Sequence, residues 1–258
     1  MRHAFHIVDS RPWPLTTALS RFLIAFGLIC SLHNLGASLL FFAVLPFLLR
    51  LIFWFRDIVR EGTIQGQHTT AVQKGLKIGF ILFILSEVIF FFSFFWAYFH
   101  SALVPSVEIG GVWPPLGIIA PNPYHIPLLN TGVLLSSGCT LTWRHIALIK
   151  GRKKNALVGL ALTLALSVYF MALQTIEYIE MPFALSDRVY GSCFFIITGI
   201  HGFHVFVGTL LLRVSLARIW KNHFSQGVHV GYECRIWYWH FVDVVWLFVF
   251  AVIYVWPS

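Results

Sequence analysis

The sequence predicts an all-α membrane protein, a bundle of seven transmembrane helices, and three observations predict it. Of its 258 residues, 58% are hydrophobic and only 11% charged, about half the charged share of an ordinary globular domain. The 26 Phe and 10 Trp supply rings that cover lipid-facing surface and, for Trp, favour the membrane interface. Apolar runs of roughly 20 residues recur, each long enough to cross a ~30 Å hydrocarbon layer as a helix.

Taken in order, the spans fall at about residues 16–34, 36–55, 73–101, 128–148, 156–179, 190–213 and 236–256. A tight turn at HNLGAS joins the first two. The polar, glycine-punctuated RDIVREGTIQGQHTTAVQ leads into the third. The third and fourth are separated by VPSVEIGGVWPPLGIIAPNPYHIP, whose six prolines forbid a regular helix and predict a stiff, ordered surface loop. No repeat or low-complexity segment interrupts this pattern, so residues 1–258 read as a single integral membrane domain, with helices 1–2 at about 16–55 and helices 3–7 at about 73–256. The opening MRHAFHIVDSRPWPLTTALS lacks a short apolar core before a small-residue cleavage site, and no removed leader is expected.

Charge orients the bundle. With the N-terminus inside, all of the 18 Lys and Arg residues except Arg188 fall on inner connections or inner helix ends. That is the positive-inside pattern, and it predicts an inner N-terminus and an outer C-terminus. The net charge of +8 is then an orienting and headgroup-facing feature, with no nucleic-acid partner implied. Four scattered cysteines, Cys30, Cys139, Cys193 and Cys234, have no C-x-x-C spacing and read as small apolar fillers. There is no dinucleotide fingerprint and no phosphate-binding loop, which argues against a stand-alone enzyme.

One carboxylate interrupts the third span, ILFILSEVIFFFSFFWAYFH. Glu87 follows Lys77 by ten residues, which at 1.5 Å per residue places it ~15 Å into the membrane. Its neighbours one turn away are Phe83, Ile84, Phe90 and Phe91, so any partner must come from another helix, from water or from lipid. Two readings stay open: a hydrogen bond that serves packing alone, or a role in proton handling or in lining a lipid or water cleft, since ionisable groups at this depth are functional candidates.

Other polar groups are more ambiguous. His201 and His204 sit at i, i+3 in TGIHGFHVFVG, a spacing open to metal or haem, but the surrounding glycines favour close helix packing with the imidazoles bonded to neighbouring backbone. His240 and Asp243 share a face at the start of the last span and read as a structural pair. Glu177 and Glu180 read as a solvated helix end. At the inner level, Arg56, Glu61 and His68 follow the second span and Arg218 follows the sixth. Beside Trp54 and Trp220 they suit anionic lipid headgroups, or they simply set topology. No metal site is expected.

Eight segments, FHIVDSRPWPLT, FRDIVREGTIQGQHT, VQKGLKIGFILFILSEVIFF, GGVWPPLGI, NPYHIPLLNT, QTIEYIEMPF, VYGSCFFIITGIHGFHV and WYWHFVDVVWLF, in this order and spacing, resemble the subunit III family of cytochrome c oxidase from about His6 to the C-terminus. The resemblance implies a seven-helix accessory subunit that carries neither haem nor copper, those centres lying in partner subunits 1 and 2. It implies contact with subunit 1, with supernumerary subunits and with phospholipids held in a V-shaped cleft between helices 1–2 and helices 3–7. It implies support of assembly, turnover stability and proton uptake, in the mitochondrial inner membrane with the N-terminus in the matrix. It matches Glu87 to the family's intramembrane carboxylate, and Arg56, Glu61, His68 and Arg218 to its lipid-cleft positions. Arg188 and Arg235 depart from the family pattern of glycine and small residues. The rival readings are an autonomous proton channel built on Glu87 and a b-type cytochrome built on His201 and His204.

Overall fold

The computed structural model describes residues 4–223 and 230–257; Arg2, one of the cations counted above on the inner side, lies outside them. The described residues form seven long helices and no strand: α1 Trp13–Leu32, α2 Ser38–Thr63, α3 Thr70–Leu103, α4 Ile126–Ile149, α5 Lys153–Glu180, α6 Arg188–Trp220 and α7 Val230–Val249. The last continues as a wider π-type turn over Phe250–Val255. All the helices except α4 are long and apolar enough to cross a membrane. In α4 the hydropathy is lowered by Asn130, Thr131, Ser137 and Arg144, all of them buried. α2 and α6 run beyond their apolar spans, to Thr63 and Trp220, because the Arg residues of their tails, joined in α2 by Glu61, leave the apolar stretch while remaining good helix formers.

The chain divides into two compact units, Met1–Leu76 and Lys77–Ser258. In the first, α1 and α2 form a hairpin whose turn places Asn34 and Gly36 in the left-handed region, with φ of 58° and 98°. Asparagine and glycine occupy that region at least cost. Trp13 starts α1 beside Pro12 and Pro14, whose fixed φ is pre-organised for a first turn. Its indole Nε1 donates to Asp57 Oδ2 at 2.7 Å, tying the start of α1 to the end of α2. Arg50 donates to Ser20 Oγ further along the same pair.

In the second unit the core is aromatic. Trp239, Trp246, Phe170, Phe194 and Tyr254 are fully buried, and each indole has a hydroxyl acceptor on α4: Trp239 Nε1 donates to Ser137 Oγ and Trp246 Nε1 to Thr131 Oγ1, both at 2.9 Å. Buried rings with satisfied N–H groups give large contact area without an unpaired donor. The part of α3 in this unit is attached through side chains: Phe91 lies edge-on to His204 at 5.2 Å, Phe83 is stacked near Tyr238 at 6.3 Å, and Lys77 pairs with Glu233. Its other side, with Ile81, Leu85, Ile89 and Phe92, is exposed apolar surface. The proline-rich connection is ordered as its composition predicts, and Trp113 shows a further reason. Its Nε1 donates to the hydroxyl of buried Tyr98 at 3.1 Å, and its ring lies 5.5 Å from Tyr190.

Candidate functional site

Glu87 finds its partner on α6. Its Oε2 lies 2.9 Å from Nε2 of His204, and rings of Phe91, Phe241 and Tyr238 surround the imidazole. The other ring nitrogen, Nδ1, is 2.8 Å from the carbonyl of Ile200, one turn back in the same helix. A carbonyl can only accept, so Nδ1 carries a hydrogen. Nε2 then either accepts from a carboxylic acid or, as imidazolium, donates to a carboxylate. In both arrangements one proton lies between Nε2 and Oε2, and the pair is neutral as a whole. Removing that proton faces a carboxylate with a bare nitrogen lone pair. Adding one leaves an uncompensated cation in an apolar setting, and both are costly there. The arrangement therefore holds one shared proton, which can shift between Nε2 and Oε2 without changing the net charge of the pair.

His201 is one turn before His204 and is buried. Its Nε2 donates to the carbonyl of Val242 at 3.2 Å, and its ring lies 5.0 Å from that of Trp246. The two histidines thus face different partners on different helices. His240 and Asp243 do come together, with Nδ1 3.4 Å from Oδ2, while Nε2 of His240 reaches Thr142 Oγ1 at 3.3 Å.

The residues that the sequence reading assigns to the inner side separate by unit. Arg56 is half exposed, bonded to Asp57 at 2.9 Å and poised 5.1 Å over Phe53. Glu61 is paired with Arg11 at 2.9 Å, and the ring of His68 lies 6.2 Å from that of His6. Arg218 is in the other unit, in the last turn of α6, where its guanidinium reaches Gly231 at the start of α7. Beyond α6, burial together with the cations Arg218 and Lys221 holds His223 below the ordinary imidazole value.

Two buried groups escaped the sequence reading. Glu177 is 4% exposed, which corrects its reading as a solvated helix end. Its Oε2 accepts from Gln174 Nε2 at 2.8 Å and from Tyr254 OH at 3.2 Å, and Gln174 Oε1 in turn accepts from Asn130 Nδ2 at 3.3 Å. The i, i+3 pair Gln174 and Glu177 was the available signal. Arg144, counted among the inner-side charges, is 0% exposed, with its guanidinium 3.8 Å above the ring of Tyr232. Arg235 donates to Ser215 Oγ at 2.8 Å.

Comparison with known proteins gives a consistent result. The family model described as Cytochrome c oxidase subunit III matches residues 3–258. Among curated relatives, the "Cytochrome c oxidase subunit 3" of Lycodon semicarinatus is 53% identical over 256 residues, covering 99% of this chain and 98% of the relative. That of Danio rerio is 52% identical over the same shares. That of Paracentrotus lividus is 52% identical over 257 residues, covering 100% of this chain and 98% of the relative.

Proposed function

Because this chain belongs to the cytochrome c oxidase subunit III family, we propose that it is an accessory, non-redox core subunit of the oxidase complex. On this reading it supports assembly, turnover stability and proton uptake of the partner subunit that reduces O2 to water with electrons from cytochrome c. It is a multi-pass protein of the mitochondrial inner membrane with its N-terminus in the matrix, and it contacts subunit 1 directly within a complex that also holds subunit 2 and supernumerary subunits. The family match over nearly the whole chain supports membership of the complex.

The observation that carries the proton-related part is the Glu87–His204 pair. On this reading, an acid and an imidazole that share one proton between α3 and α6 are the groups of this chain placed to take part in proton movement. Haem and copper belong to partner subunits on this reading, which the imidazole geometry supports: Nε2 of His201 is committed to Val242, and both nitrogens of His204 are committed to Ile200 and Glu87. Arg56 and Arg218 bind phospholipid headgroups, with Glu61 and His68 as the accompanying candidates, and the apolar surfaces of α2 and α3 face lipid or partner subunits.

The test is Glu87→Gln in the assembled complex, following protons translocated per electron and the decay of activity over repeated turnovers. The proposal expects at least one to worsen while assembly is retained; unchanged values in both would reduce Glu87 to a packing residue. Proton flux from the chain alone in vesicles would instead favour an autonomous channel.

A further inference from the structure

We propose that His6, Glu61 and His68 form a binding site for a divalent metal ion of the zinc class, which staples the N-terminal segment to the inner end of α2. One donor atom from each of the three lies within 4.8 Å of the other two. Two imidazoles and one carboxylate are a donor set that zinc takes readily, with a fourth position left for water. Zinc bonds of 2.0–2.1 Å place tetrahedral ligand atoms about 3.4 Å apart. The three donors therefore need to draw together by about 1.4 Å at most, within reach of rotamer adjustment because all three residues are only half-buried.

The three come from separate stretches of one unit, and each is positioned by its surroundings. His6 lies on the segment that Thr69 Oγ1 holds by donating to the carbonyl of Ala4. Glu61 is in the last turn of α2, where Arg11 binds Oε1. That leaves Oε2 as the second donor atom of an oriented carboxylate, the arrangement that outer partners give to metal-binding acids. His68 follows in the connection to α3, which is fixed by Gln67 N donating to Glu61 O at 3.0 Å and by Gln73 Nε2 donating to His68 O at 2.9 Å. Gly62 makes the approach feasible, since a Cβ there would stand 2.6 Å from His68 Nδ1. The two imidazoles are tilted by 58°, not stacked, so their association is not a face-to-face ring contact.

The experiment is a titration of the purified full chain in detergent with Co2+, whose visible bands intensify in tetrahedral sites, followed by displacement with Zn2+. The expected result is one Co2+ per chain, with binding weakened about 100-fold or more by His6→Gln, Glu61→Gln or His68→Gln, a loss at the upper end of what even outer partners cause. His68→Cys should retain binding and add a thiolate-to-metal absorption band. Far-UV circular dichroism checks that each variant keeps its helicity. Should a variant unfold, X-ray absorption of the zinc-loaded wild type decides: a shell with two imidazoles and carboxylate oxygen supports the site, and any other shell overturns it. Failure of the wild type to bind at millimolar Co2+, or binding equal in wild type and folded variants, also overturns it. None of these readouts depends on oxidase activity.

Discussion

Nε2 of His204 and Oε2 of Glu87 meet at 2.9 Å between α6 and α3, while Nδ1 of the same ring is fixed on the carbonyl of Ile200. The second bond decides the meaning of the first. It fixes the tautomer, so the pair shares one proton and stays neutral wherever that proton sits.

Replacing His204 by Leu should strand Glu87 among phenylalanines. Hydrogen bonds between transmembrane helices average about 0.6 kcal/mol and reach about 1.7, and a buried polar group left unsatisfied adds a penalty of about 1–3 kcal/mol. The expected outcome is a destabilisation of roughly 1–4 kcal/mol in detergent unfolding, with His204→Gln closer to wild type because its amide can still reach the carboxyl.

Glu177 should be more sensitive than its position near a helix end implies. Glu177→Ala removes the acceptor for Tyr254 and the shorter-range acceptor for Gln174, whose amide keeps only its longer contact with Tyr254 OH, and a buried donor left unsatisfied costs about 1–3 kcal/mol. Glu177→Gln keeps an acceptor oxygen and should lose less than half as much, measured by the same unfolding assay.

Arg144 offers a test of cation–π attraction in a dry setting. A desolvated contact of this kind contributes about 2 kcal/mol or more, so Tyr232→Leu should destabilise the chain by about that amount. Tyr232→Phe keeps the ring and should lose less, the difference being the hydroxyl's hydrogen bond with Arg144. A loss in Tyr232→Phe equal to that in Tyr232→Leu would transfer the effect from the ring to the hydroxyl.

His223 should titrate below the ordinary histidine value of about 6.5, because burial, Arg218 and Lys221 all oppose its charge. With the folded value depressed, the unfolded chain binds more protons as pH falls below about 6.5, so folding stability declines on acidification through that range. NMR titration of His223 checks the direction, and Lys221→Gln should move the midpoint upward.

Much of this architecture was legible because hydropathy is a local property. The spans, the short α1–α2 turn and the ordered proline-rich connection are written in consecutive residues. Partnerships are not. Glu87 announces itself as an acid among phenylalanines, yet its partner lies 117 residues away. A helical wheel places Gln174 beside Glu177 but cannot supply Asn130 and Tyr254, which come from other helices. Arg144 looks in sequence like any inner-side cation, because a guanidinium in water and one over a buried ring have the same local context. His6 had no helix to give it a face, so its approach to Glu61 and His68 was invisible.

Two tethers at one end of the second unit differ in how they respond to solvent. Lys77 and Glu233 are both partly exposed and depend on opposite charges, so concentrated electrolyte slackens that link. The Arg144 guanidinium rests on an uncharged ring away from water, where mobile ions do not reach and no acid needs to stay ionised. Under brine the Lys77 end of α3 should therefore loosen while α4 and α7 remain clasped, giving this end of the protein one releasable strap and one permanent rivet.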